Sequence, residues 1–72
     1  MTKGEKKEAV GKLLSSLTAS GRPIDDKGNL DVKAFNRLPE VRVIILKLRK
    51  LGVTKNWLFT NGFVVAGMIL DI

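Results

Sequence analysis

Neither cysteine nor histidine occurs among the 72 residues. Their absence excludes disulfide staples, the usual nitrogen and sulfur ligand sets of zinc, iron and copper, and catalysis built on a thiol or imidazole. There is no serine-centred nucleophile elbow, and Gly52, Gly62 and Gly67 fall in no phosphate-cradling spacing. Asp25, Asp26 and Asp31 fail the calcium-loop pattern, because Lys27 occupies a ligand position and no glutamate closes the loop. The chain is therefore expected to be no enzyme, with no metal and no cofactor. Long apolar runs are missing as well. Trp57 to Leu70 is uncharged but only 14 residues long and contains Asn61-Gly62, short of the roughly 20 residues a spanning helix needs. The N-terminal part has lysines but only short apolar runs such as Leu13-Leu14, so no export signal is expected and the expected compartment is the cytoplasm, or the nucleus of a eukaryotic host.

What remains is one small domain, residues 1–72, with 44% apolar and 28% charged residues. A chain this short buries only about 60% of its unfolded surface. With no covalent staple, a second chain is the remaining source of stability, and a homodimer is expected.

Thirteen basic against seven acidic residues give a net charge of +6, which turns attention to polyanionic partners. The charge is segmental: +3 over residues 1–22, −1 over 23–40, +5 over 41–56 and −1 over 57–72.

Local signals predict four or five short helices. Thr2 and Glu5 fit a capping box, followed by a stripe of Ala9, Val10, Leu13, Leu14 and Leu17, with Gly21 and Pro23 as stops. Residues 22–31 are turn chemistry around Lys27-Gly28-Asn29, bracketed by Ile24 and Leu30 as anchors, and are expected to form a short turn or β-bridge. Asp31 caps a helix over Val32 to Leu38, and Pro39 opens the next. In Pro39 to Leu51, Val41, Ile44, Ile45, Leu48 and Leu51 share about 120° of one face, and Gly52 is the stop. Val43 and Leu46 fall outside that stripe, which suggests a second packing partner. Thr54 can cap a helix through Phe59, with Asn61-Gly62 as stop and Phe63 to Asp71 as a last helix. The competing fold is α+β, with a hairpin at 57–66 turning on Asn-Gly.

The segment from Ile44 to Phe63 can be laid on the twenty-residue helix-turn-helix pattern, with Gly52 at the turn, which gives a possible helix-turn-helix at 40–60. Lys47, Leu48 and Asn61 depart from that pattern. Arg42, Lys47, Arg49, Lys50 and Lys55 are the candidate phosphate contacts and Asn56 a candidate base-edge contact. Trp57, Phe59, Phe63, Val64 and Ile69 are the candidate dimer interface. The expectation is a small nucleic-acid-binding dimer, DNA before RNA, with a regulatory or packaging role. The rival is a non-enzymatic interaction module, an inhibitor, adaptor or assembly component, that docks through its apolar C-terminal surface, its lysines free to meet an acidic protein.

Overall fold

The computed structural model describes residues 2–17 and 22–72. The described residues form five helices and no named strand: α1 (Lys3–Leu17), α2 (Val32–Arg37), α3 (Pro39–Lys50), α4 (Lys55–Thr60) and α5 (Val64–Ile69). The mainly helical reading holds. The hairpin at 57–66 is overturned, since both of its arms are helical. Gly21, expected to help stop α1, lies outside the described residues.

The helix starts follow from their caps. The Thr2 amide donates to Glu5 Oε1 at 3.3 Å and the Glu5 amide donates to Thr2 Oγ1 at 3.1 Å, the reciprocal pair of a capping box. Asp31 Oδ1 accepts from the Ala34 amide at 3.1 Å, and Thr54 Oγ1 accepts from the Trp57 amide at 3.1 Å. Between α1 and α2, Ile24 and Leu30 form an antiparallel bridge, and Asp25 Oδ1 accepts from the amides of Lys27 and Asn29.

Two helix ends share one device. After α3 the Val53 amide donates to the Leu48 carbonyl at 3.0 Å and the Gly52 amide to the Arg49 carbonyl at 3.0 Å. After α4 the Phe63 amide donates to the Leu58 carbonyl at 2.8 Å and the Gly62 amide to the Phe59 carbonyl at 3.4 Å. Gly52 at φ 77° and Gly62 at φ 88° hold the left-handed position that this Schellman geometry requires. Each stop also carries an apolar contact partner: Leu48, Val53 and Leu58 are buried and Phe63 is half-buried. The Asn61-Gly62 pair thus ends a helix rather than turning a hairpin.

One contiguous core joins Val10 and Leu17 of α1, Phe35 of α2, Val41, Ile44, Ile45 and Leu48 of α3, Val53, Leu58 of α4, and Leu70. The α3 stripe matches the expected one, with Val43 and Leu46 exposed at 49% and 53%. α1 and α2 both pack on α3, and α4 packs on α5.

The last helix is shorter than Phe63 to Asp71. Leu70 leaves it in extended conformation, with φ −78° and ψ 134°, and its side chain is buried. Asn36 explains the departure. Its Nδ2 donates to the Ile69 carbonyl at 2.8 Å, and its Oδ1 accepts from the Asp71 amide at 2.9 Å. That clasp fixes the backbone of residues 69–71 against α2. The ends of the other helices also move slightly: α2 stops at Arg37, α3 at Lys50, and α4 runs one residue further, to Thr60.

Candidate polyanion-binding surfaces

At about 100° per residue, the solvent arc of α3 runs Arg49, Arg42, Leu46, Lys50, Val43, Lys47, with the core stripe on the far side. The basic residues of α3 therefore sit on two flanks, and each flank meets different neighbours.

On the Arg42 flank, a cleft of about 440 Å³ is lined by Lys33, Asn36 and Arg37 of α2, Arg42 of α3, Lys55 of α4 and the chain around Met68 to Asp71. A smaller hollow of about 110 Å³ shares Asn36, Arg42 and Asp71 and extends to Arg49. Five cations thus follow one continuous depression, against one carboxylate, that of Asp71. Two of them are tethered. Lys55 Nζ donates to the Gly67 carbonyl at 2.9 Å and also to the Leu70 carbonyl, which places its charge at the negative end of α5. Arg49 Nη2 reaches the Asp71 carbonyl at 3.4 Å. Lys33, Arg37 and Arg42 are exposed and take part in no ion pair among the described residues.

On the Lys47 flank, a groove of about 580 Å³ lies between α1 and α3, lined by Ala9, Lys12, Leu13 and Ser16 on one side and Ile44, Lys47, Lys50 and Leu51 on the other. Lys12 is joined to Glu8 at 3.6 Å in an exposed i, i+4 pair, a contact worth a few tenths of a kcal/mol at most, ~0.3–0.5. Lys6 faces elsewhere. Its Nζ donates to the Gly52 carbonyl at 3.4 Å and stands 5.1 Å from the centroid of the Trp57 ring, so it ties α1 to the α3–α4 turn.

The candidate residues are thus brought together in two groups: Arg42, Arg49 and Lys55 in the cleft, Lys47 and Lys50 in the groove. Asn56 is exposed on α4, a helix of less than two turns. α3, the glycine turn and α4 do follow one another as helix, turn and helix, but Leu58 is buried, Trp57 half-buried and Lys55 held by α5. Sequence reasoning missed Lys33 and Arg37, because it treated residues 23–40 as a weakly acidic segment. Their i, i+4 spacing on a capped helix was the available signal.

The apolar candidates divide too. Trp57 stacks on Phe63 with ring centroids 6.0 Å apart and planes 13° from parallel, and both are half-buried inside the chain. Ile69 is also half-buried, packed against the core. Phe59 and Val64 are exposed, as are Val65 at 69% and Met68 at 68%, which the sequence reading did not single out. Val64, Val65 and Met68 share one side of α5 at i, i+1 and i+4.

Among the described residues there is no group of three acidic, histidine or cysteine side chains that could hold a metal, and no helix long and apolar enough to cross a membrane. The chain matches no protein-family model, no curated protein and no solved structure.

Proposed function

We propose that this is a small basic protein that binds the phosphate backbone of nucleic acid, DNA before RNA, as a dimer with a regulatory or packaging role. The observation that carries the proposal is that Lys33, Arg37, Arg42 and Lys55 line one cleft and Arg49 the hollow adjoining it at Arg42, with Asp71 the single carboxylate in either lining. Phosphate binding needs cations spaced along a surface more than it needs exact base geometry. Duplex is favoured over unpaired strands because Trp57 and Phe63 are half-buried against each other, which leaves Phe59 as the one exposed aromatic ring among the described residues to take an unstacked base. Asn56 is the candidate for a base-edge contact. Lys47 and Lys50, on the other flank of α3, add to the attractive field without sharing the cleft.

A salt titration tests the proposal. Each phosphate contact contributes about −0.9 to the slope of log K against log salt on duplex DNA. Arg37→Ala with Arg42→Ala should flatten the slope by roughly 2. Absence of duplex binding at low salt would sink the proposal.

A second reading, an interaction module docking through the C-terminal apolar surface, draws support from the exposure of Val64, Val65 and Met68. It predicts a partner complex that is retained at high salt and indifferent to Arg37 and Arg42.

A further inference from the structure

The α1–α3 groove combines two features that a phosphate site does not need together. Its floor is apolar, made by Ala9 and Leu13 of α1, Ile44 of α3 and Leu51 at the α3 C-cap. Its rim is cationic, made by Lys12, Lys47 and Lys50. Glu8 is already joined to Lys12, and among the described residues neither Lys47 nor Lys50 takes part in an ion pair. From Ala9 to Ser16 and from Ile44 to Leu51 each wall runs eight residues, seven steps or about 10 Å at 1.5 Å of helical rise per residue.

We propose that this groove is a docking site for an acidic amphipathic helix of another protein, one that presents apolar side chains at i, i+3 or i+4, and i+7 flanked by Asp or Glu. Such a ridge covers two turns, about 10 Å, the length of the floor. Its carboxylates would lie against the Lys47 and Lys50 ammonium groups, while its apolar stripe would remove the floor from water. The other occupants fit less well on physical grounds. A nucleic-acid backbone has nothing apolar to set on Leu13 and Ile44. A second copy of this chain would bring its own cationic rim against this one, and like charges at a contact repel.

The test uses a fluorescently labelled synthetic peptide with leucines at i, i+3 and i+7 and glutamates on both flanks. Three comparison ligands accompany it: a peptide of the same composition with shuffled leucines, the parent peptide with lysine in place of glutamate, and phosphatidylglycerol vesicles. The parent peptide should bind at low salt and shift the amide resonances of Ala9, Leu13, Lys47 and Leu51. Lys47→Gln with Lys50→Gln, both at exposed positions, should weaken it about tenfold, the sum of two modest charge pairs. Ala9→Gln, which puts an amide into the floor, should weaken it with the lysines intact. Circular dichroism melting of each variant establishes that it remains folded. Equal binding of the shuffled peptide would reduce the attraction to bulk charge and overturn the proposal. So would perturbed resonances confined to the Arg42 cleft, a preference for vesicles, or no binding at low salt. Because Arg37 and Arg42 lie outside this groove, failure here leaves the duplex reading standing, and failure of the duplex reading leaves the peptide result to be judged alone.

Discussion

Two surfaces of this molecule expose aliphatic side chains, and they differ in what surrounds them. On α3, Val43 and Leu46 lie in an arc that also holds Arg42, Arg49, Lys47 and Lys50. On α5, Val64, Val65 and Met68 belong to a stretch, Trp57 to Leu70, without one charged residue. An identical copy meets fewer like charges at Val64 and Val65 than on α3, although Met68 borders the cleft of Lys33, Arg37, Arg42 and Lys55, whereas the α3 arc repels it and suits an anionic partner. The apolar atoms supply area in both places, and the neighbouring charges decide what can cover it.

The largest effect should come from the core beneath both surfaces. Leu48 supports the α3 side and Leu58 the α4–α5 side, and both are fully buried in one cluster. Leu48→Ala and Leu58→Ala should each cost about 2–5 kcal/mol, most of what a domain of this size possesses, ~3–5 kcal/mol. Thermal unfolding followed by circular dichroism should show one cooperative transition shifted by a similar amount in both variants. If Leu58→Ala melted α4 and α5 while α3 stayed folded, the two surfaces would belong to separate units and the comparison would lose its common base.

The next effect isolates the charge-free side. Val65→Asp with Met68→Asp changes two residues that are 69% and 68% exposed, so the folded chain should tolerate it. Self-association should fall more than a hundredfold, since burial of each large apolar side chain is worth about 1.5–3 kcal/mol and a buried carboxylate opposes contact. Light scattering against protein concentration measures it. Association of the unaltered chain should also be nearly indifferent to salt, in contrast to the duplex slope expected of the α3 cleft. A chain that stays monomeric throughout, or a dimer that dissociates on addition of salt, would break the contrast.

Asn36→Ala should have a smaller, local effect. Asn36 Nδ2 donates to the Val32 and Ile69 carbonyls, and Oδ1 accepts from the Asp71 amide. The loss of these bonds should cost about 1–3 kcal/mol. It should raise hydrogen exchange at Leu70 and Asp71 first. It should also loosen the cleft wall that carries Lys33 and Arg37, and leave the α1–α3 groove unaltered. Equal protection losses on both sides of α3 would contradict the division into two flanks.

These devices differ in how readable they are from sequence. Thr2 with Glu5, Asp31, Thr54, Gly52 and Gly62 act within three to five residues of themselves, and each of these caps and stops was legible. The α3 wheel already separated Arg42 and Arg49 from Lys47 and Lys50, but it could not say which neighbour each pair would meet. The end of α5 was illegible because it is set by Asn36, 33 and 35 residues away from its partners. Lys6 and Lys55 look like solvated cations in the sequence, and their backbone acceptors lie 46, 12 and 15 residues distant. The Asn61-Gly62 signal is local yet fits two answers, a helix stop and, as the runner-up, a hairpin turn. The buried Leu58 and the Trp57–Phe63 stack across the stop decide for the helix end.

The smallest expected effect tests how firmly the charge-free surface is built. Gly67 is buried within α5, and a Cβ placed there would stand 3.0–3.2 Å from three ring atoms of Phe59. Gly67→Ala therefore sets a gain in helix propensity of about 1 kcal/mol against a displacement of the ring by a few tenths of an ångström. The Phe59 ring is 42% exposed, so it has open space on its far side and can tilt outward. The two terms should nearly cancel, with a net change in stability within about 1 kcal/mol. Dimerisation should be preserved, because the displaced ring adds apolar area beside Val64 and Met68 instead of removing it. A loss above about 2 kcal/mol would mean that Phe59 is wedged rather than free to tilt. The charge-free face would then be a rigid continuation of the core, and its exposed aliphatics would have to match a partner's shape without adjustment.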